Sequence, residues 1–153
     1  MTITLKAIKA EQDKVAAMIA AFEAKAKAEA AYPITVALPE LNPGERYLGA
    51  ILSADGSKRH HVILLPGEIE EATWNKAMEW AAGIGGDLPD RVEQALLFAC
   101  MKDEFKPNWY WSNTQHASVS HNAWHQYFLN GYQGSILKSA EGRARAVRRL
   151  VIE

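Results

Sequence analysis

The sequence predicts an α+β protein in which a long N-terminal helix precedes a compact mixed domain. Three observations carry this. Residues 5–31 are rich in Ala, Lys and Glu and contain neither Gly nor Pro, a composition that favours helix. Three prolines then fall within residues 32–45, which reads as a linker. Beyond them, helical spacing alternates with short strand-like runs, and after Asn108 the period changes from helix to strand.

The first helix is expected to end at Tyr32-Pro33, because a residue before proline avoids helical dihedrals. Leu5, Ile8, Gln12, Val15, Ile19 and Phe22 are spaced alternately three and four apart, as in a heptad seam with one polar member. Two readings stand side by side. The helix packs on its own domain, or it forms a short coiled coil that makes a homo-oligomer.

The compact domain is expected over 46–153. Tyr47–Leu52 and His60–Leu65 flank an Asp55-Gly56 turn and read as a hairpin. His60 and His61 would point to opposite faces, one of them exposed. Thr73 caps a helix whose stripe is Trp74, Ala77, Met78 and Ala81, with Trp80 at its edge and Gly83, Gly85 and Gly86 ending it. Asp90 caps the next helix, Arg91 to about Lys102, with Val92, Ala95, Leu96 and Ala99 as its apolar stripe and Cys100 on or beside that buried face. Trp109–Ser112 is a short aromatic strand. In 123–129, Trp124, Gln126 and Phe128 share one face, taken as scaffold, and His125, Tyr127 and Leu129 share the other, taken as free. Asn130-Gly131 turns the chain into a returning segment, 132–137. A turn at 140–142 leads to a terminal strand, 143–152.

The order of Trp74 and Ala81, Gly-Gly-Asp-Leu-Pro-Asp-Arg (85–91), Glu-Gln-Ala-Leu-Leu (93–97), Tyr-Trp-Ser-Asn-Thr (110–114), Ala-Trp (123–124), Phe128, Gly131 and Arg-Ala-Val-Arg (145–148) resembles the DUF1566 family. That family is common in bacteriophage and prophage genomes and is related to the C-type lectin-like fold. The resemblance spans roughly residues 47–150. Asp90 and Asn113 depart from the family's usual Thr and Ser, and the N-terminal helix lies outside it. It implies two helices against small twisted antiparallel sheets. It also implies a solvent-facing binding surface after the Tyr-Trp-Ser block. The residues of that region agree, since Tyr, His, Asn and Gln are the types that build adaptable contact surfaces. The expected ligand-binding set is His116, His121, Asn122, His125, Tyr127, Tyr132 and Gln133.

Other chemistries fit less well. In a strand, His121 and His125 would stand about 13 Å apart, too far to share a metal ion. A single cysteine excludes an intrachain disulfide and lacks the thiol pair of formylglycine-type relatives. The carboxylates do not form a lectin calcium motif, and the serines sit in no nucleophile motif. No metal and no cofactor are expected. The balance of basic and acidic side chains, net charge −1, argues against nucleic acid. Arg143, Arg145, Arg148 and Arg149 are expected to tie the last strand to nearby carboxylates. No membrane span or signal peptide is read, so synthesis in a host cytoplasm is expected, with a place in the virion. The expected function is a non-catalytic phage or prophage binding module for a host surface glycan or protein. The alternative is a small intracellular phage protein that binds and inhibits a host factor.

Overall fold

A computed structural model describes residues 4–30, 37–55 and 59–152. The chain divides into two compact units, residues 1–37 and 38–153. The first holds helix α1, Leu5–Ala30. Thr4 starts it, its hydroxyl accepting from the Ala7 N–H at 3.3 Å. Leu5, Ile8, Val15, Ile19 and Phe22 are all exposed, and Ile8, Gln12, Val15 and Ile19 line one shallow apolar groove. The expected stop at Tyr32-Pro33 lies outside the described residues.

The second unit takes in residues 38–45, ahead of the expected start at 46. The reason is Arg148, which donates to both Glu45 carboxylate oxygens at 2.7 Å and to the Glu40 carbonyl at 2.9 Å. Among the described residues, eight strands and two α-helices follow in this unit: β1 Arg46–Leu52, β2 Arg59–Leu64, β3 Ile69–Ala72, α2 Trp74–Gly83, α3 Arg91–Met101, β4 Trp109–Gln115, β5 Asn122–Tyr127, β6 Gln133–Leu137, β7 Gly142–Ala144 and β8 Val147–Val151. They make a three-stranded sheet, β1-β2-β8, and a five-stranded sheet, β3-β7-β4-β5-β6. The pairings are antiparallel except β4 with β7. The unit is therefore mixed α+β with small sheets.

The terminal segment differs from the single strand expected over 143–152. It breaks at Arg145-Ala146, so that β7 joins the larger sheet and β8 the smaller. The Ala146 carbonyl instead accepts from the Leu65 N–H at 2.9 Å, and Arg145 donates to the Leu65 carbonyl at 3.0 Å. Strand β3 carries no apolar alternation, because two of its four residues are glutamates.

The larger sheet is covered on both faces. Trp111, Ala123 and Ala144 pack with Ala77 and Ala81 of α2, while Tyr110 and Phe128 pack with Leu97 of α3. The core stripe expected for α2 is the one observed. That of α3 is inverted. Val92 is 56 % exposed, and Ala95, Leu96, Ala99 and Cys100 also face solvent. The buried residues are Glu93, Gln94 and Leu97. Polar groups can hold this face because most of their atoms find partners; among the described residues only Gln94 Oε1 on it is buried without one. The Gln94 side-chain amide donates to the Tyr110 carbonyl at 2.9 Å, and the Gln94 main-chain carbonyl accepts from Gln126 Nε2 at 3.0 Å.

Glu93 is the hub. Its side chain accepts from the Asp90 N–H at 2.8 Å, closing a capping box with Asp90. It also accepts two bonds of 2.6 Å from Arg149 and faces His60 Nε2 at 3.1 Å. Burial alone would depress the Arg149 guanidinium, but Glu93 and Asp87 outweigh it and hold it above its ordinary value. The two histidines of β2 are thus both engaged, contrary to the expectation that one is free: His61 Nδ1 lies 3.0 Å from the Tyr47 hydroxyl. The four terminal arginines do meet acids as expected. Arg143 reaches Glu68 at 2.9 Å, Arg145 approaches Glu104 at 4.0 Å, and Arg148 and Arg149 hold the partners already named.

Candidate binding surface

Strand β5 and its neighbours position most of the expected ligand-binding residues. The register places His125 opposite Trp111 and Gly134, Tyr127 opposite Trp109, and Gln126 opposite Gln133. Cross-strand partners share a face. The seven residues therefore do not form one surface. His125, Tyr127 and Tyr132 lie on the α2 side, whereas Asn122 and Gln133 lie on the α3 side with Trp124 and Gln126.

The α3 side is mostly scaffold. Gln133 donates to the Arg91 carbonyl and to Gln126 Oε1, each at 2.7 Å, and accepts from Arg91 Nε at 3.1 Å. With its amide spent this way, Gln133 is a strut joining α3 to β5 and β6, not a free contact. Trp124 is half-exposed rather than core. The Arg91 guanidinium covers its ring at 3.6 Å, and His116 stacks on it at 5.5 Å. His116 also organises its own loop, with Nδ1 accepting from the Ser118 and Val119 N–H groups at 3.2 and 3.1 Å.

The α2 side presents rings. His125 packs edge-on against Trp109, with ring centres 5.2 Å apart. Among the described residues its Nδ1 is buried without a partner, and burial pushes its pKa down. The odd-numbered face of 123–129 is therefore not free throughout, contrary to the expectation from alternation: Ala123 is sealed in the core with Ala77 and Ala81 of α2, and His125 is half-buried against Trp109. Tyr127 is half-buried, and Tyr132 is 65 % exposed. Gly134 lets these rings converge. A Cβ there would stand 2.8 Å from the Tyr132 ring and 3.2 Å from the His125 ring. The result is a ledge of Trp109 on β4, His125 and Tyr127 on β5, and Tyr132 immediately before β6. The sequence places Trp109 only in a short aromatic strand, where its two-residue offset from Trp111 puts it on this face.

His121 is exposed and stands apart, at a cleft formed with Thr73, Asn75, Leu137, Lys138 and Ser139. Its carbonyl accepts from the Lys138 N–H at 2.9 Å, which fixes the loop to the end of β6. Nothing in the sequence brings these residues together. Among the described residues, no three of His, Cys, Asp and Glu are grouped to hold a metal ion, and no helix is long and apolar enough to cross a membrane. The hydroxyl of Ser112 is occupied, donating to the Trp124 carbonyl at 2.9 Å. No protein-family model matches this sequence, and no curated protein matches it.

Proposed function

We propose that this chain is a non-catalytic phage or prophage binding module of the DUF1566 type. Its head is a C-type lectin-like domain, and it engages a host surface glycan or protein as a tail-associated component. The observation that carries this reading is the ring ledge on the β5–β6 hairpin. Tyr132 projects into solvent there while its neighbours His125 and Trp109 are held by packing. Exposed tyrosines on a rigid frame give large contact area at small entropic cost. Aromatic rings of this kind also stack on the apolar faces of sugars. The two helices against small sheets, with a loop-rich side around 116–122, support the lectin-like assignment.

The exposed seam of α1 supports homo-oligomerisation. Helical stability in proteins comes mostly from packing an amphipathic face, and the seam of α1 is exposed. A second copy of the same seam provides matching a and d positions, with Gln12 fixing register. Several heads on one stalk would convert weak single-site binding into avidity.

The test is binding of the intact protein to a glycan array and to envelope fractions of candidate host bacteria. Tyr132→Ala should weaken binding by about tenfold or more, the scale of a hot-spot side chain. Its melting temperature should stay within about 2 °C of wild type, because the ring is exposed. Absence of binding by wild type on both supports refutes the proposal.

A further inference from the structure

The cleft at His121 lies away from the ring ledge and has a chemistry of its own. It is bounded by Thr73 and Asn75 at the start of α2, by His121 at the end of the 116–121 loop, and by Leu137, Lys138 and Ser139 at the end of β6. Its volume is about 440 Å³, within the range of small-ligand sites. Two main-chain bonds fix its walls: the Trp74 N–H donates to the Lys138 carbonyl at 3.0 Å, and the Lys138 N–H donates to the His121 carbonyl at 2.9 Å. The cleft is therefore a meeting point of three elements, not a gap beside a loose loop.

Its polar groups are largely unspent. Among the described residues, no protein group bonds the side chains of Asn75, His121 or Ser139. The Thr73 hydroxyl oxygen accepts from the Lys76 N–H at 3.5 Å, which leaves its O–H hydrogen free to donate. The Lys138 ammonium has three donors. One goes to Gln115 Oε1 at 2.6 Å, and the charge rests 4.4 Å from the Trp74 ring. Those contacts account for one of its three donors. Among the described residues, no carboxylate lines the cleft. An acceptor-rich ligand is what such a donor-rich, singly cationic site selects. Leu137 supplies an apolar wall for the carbon face of a ring.

We infer that this cleft is a subsite for an acidic sugar, a pyranose bearing a carboxylate. Lys138 takes the carboxylate, and Thr73, Asn75, His121 and Ser139 take ring hydroxyls. The inference rests on the reading of the head as a glycan-binding module and names a ligand class for it. The ledge and the cleft would then contact successive parts of one glycan.

The experiment uses the intact ¹⁵N-labelled protein, titrated separately with sodium glucuronate, glucose and inorganic phosphate. The expected result is saturable shifts at the Asn75, His121, Lys138 and Ser139 amides with glucuronate. Glucose and phosphate should each bind at least about tenfold more weakly, the loss of one charge-assisted contact or of the hydroxyl contacts. Lys138→Gln should remove the preference for glucuronate over glucose, and Ser139→Ala, a change at an exposed hydroxyl, should weaken both sugars. No saturable shift at these amides overturns the inference. Equal binding of glucose overturns the acid recognition, and equal binding of phosphate shows a plain anion site. Envelope or array binding that survives in Lys138→Gln leaves the glycan-binding reading standing while the cleft assignment fails. Absence of envelope and array binding by wild type removes that reading itself.

Discussion

Replacing Glu93 with glutamine removes a charge from the most connected buried side chain while keeping its shape. The carboxylate is fully buried and accepts from Arg149 twice at 2.6 Å, from the Asp90 N–H at 2.8 Å, and faces His60 at 3.1 Å. Glutamine also serves at this position of a capping box, so the helix start is largely conserved. What changes is the end facing Arg149 and His60, where an NH₂ group now meets donors. Removing one partner of a buried ion pair costs about 3–5 kcal/mol. Arg149 keeps Asp87 at 2.8 Å and its side chain is 27 % exposed, so the lower end applies. At about 3 °C per kcal/mol for a chain of this size, the melting temperature should fall by about 9 °C. Thermal unfolding followed by circular dichroism at pH 7 measures it. Glu93→Gln combined with Arg149→Met should recover much of the loss, because no fully buried charge is then stranded; Asp87, 38 % exposed, keeps the Asn113 amide as a donor at 2.9 Å. A fall below about 3 °C in the single variant, or no recovery in the double, refutes the hub.

Other outcomes follow from the same structure. His125 has its pKa lowered from 6.5 by burial, so the unfolded chain takes up a proton before the folded one as the pH falls. Stability should decline below about pH 6.5, and His125→Gln should flatten that slope in melts between pH 7 and 5. Arg148 holds Glu45 down at about 2 from 4.5, so its contribution is full above pH 4.5 and lost progressively toward pH 2. Glu45→Gln should be least harmful at the acid end of that window. Gly142→Ala should destabilise by about 1–3 kcal/mol, an overpacking cost, because its Cβ would stand 2.1 Å from the Trp109 ring. Sedimentation equilibrium should find an oligomer for wild type and a monomer for a Val15→Lys, Ile19→Lys variant. A monomeric wild type refutes the seam.

Much of the fold was legible because local signals and tertiary environment agree. Thr73 and Asp90 cap the helices they were expected to cap. The β5–β6 hairpin turns near Asn130-Gly131, where Gly131 takes the positive φ of 81° that glycine tolerates. The stripe of α2 is apolar and buried, so periodicity found it. It failed on α3 because Glu93 and Gln94 are buried by partners far along the chain, Arg149, Tyr110 and Gln126. Periodicity counts apolar side chains and is blind to polar ones with distant partners. Val92 and Leu96 then look like core when they face water. The same limit affects β5. Alternation assigns sides correctly, but it cannot tell that α2 and α3 cover both of them. Of the residues expected to bind a ligand, His125, Tyr127 and Tyr132 share one side of the sheet, whereas the Gln133 amide is held by Arg91 of another element, which no local pattern shows. The cleft was invisible, since Thr73, His121 and Lys138 are ordinary surface residues until the strands bring them together.

The most direct measurement places intact wild-type protein and Tyr132→Ala on the same glycan array and the same host envelope fractions, with melting curves for both. Binding by wild type, weakened about tenfold or more in the variant at unchanged stability, is the predicted result. Full binding retained by Tyr132→Ala, or none by wild type, contradicts a head that touches its host through the β5–β6 hairpin.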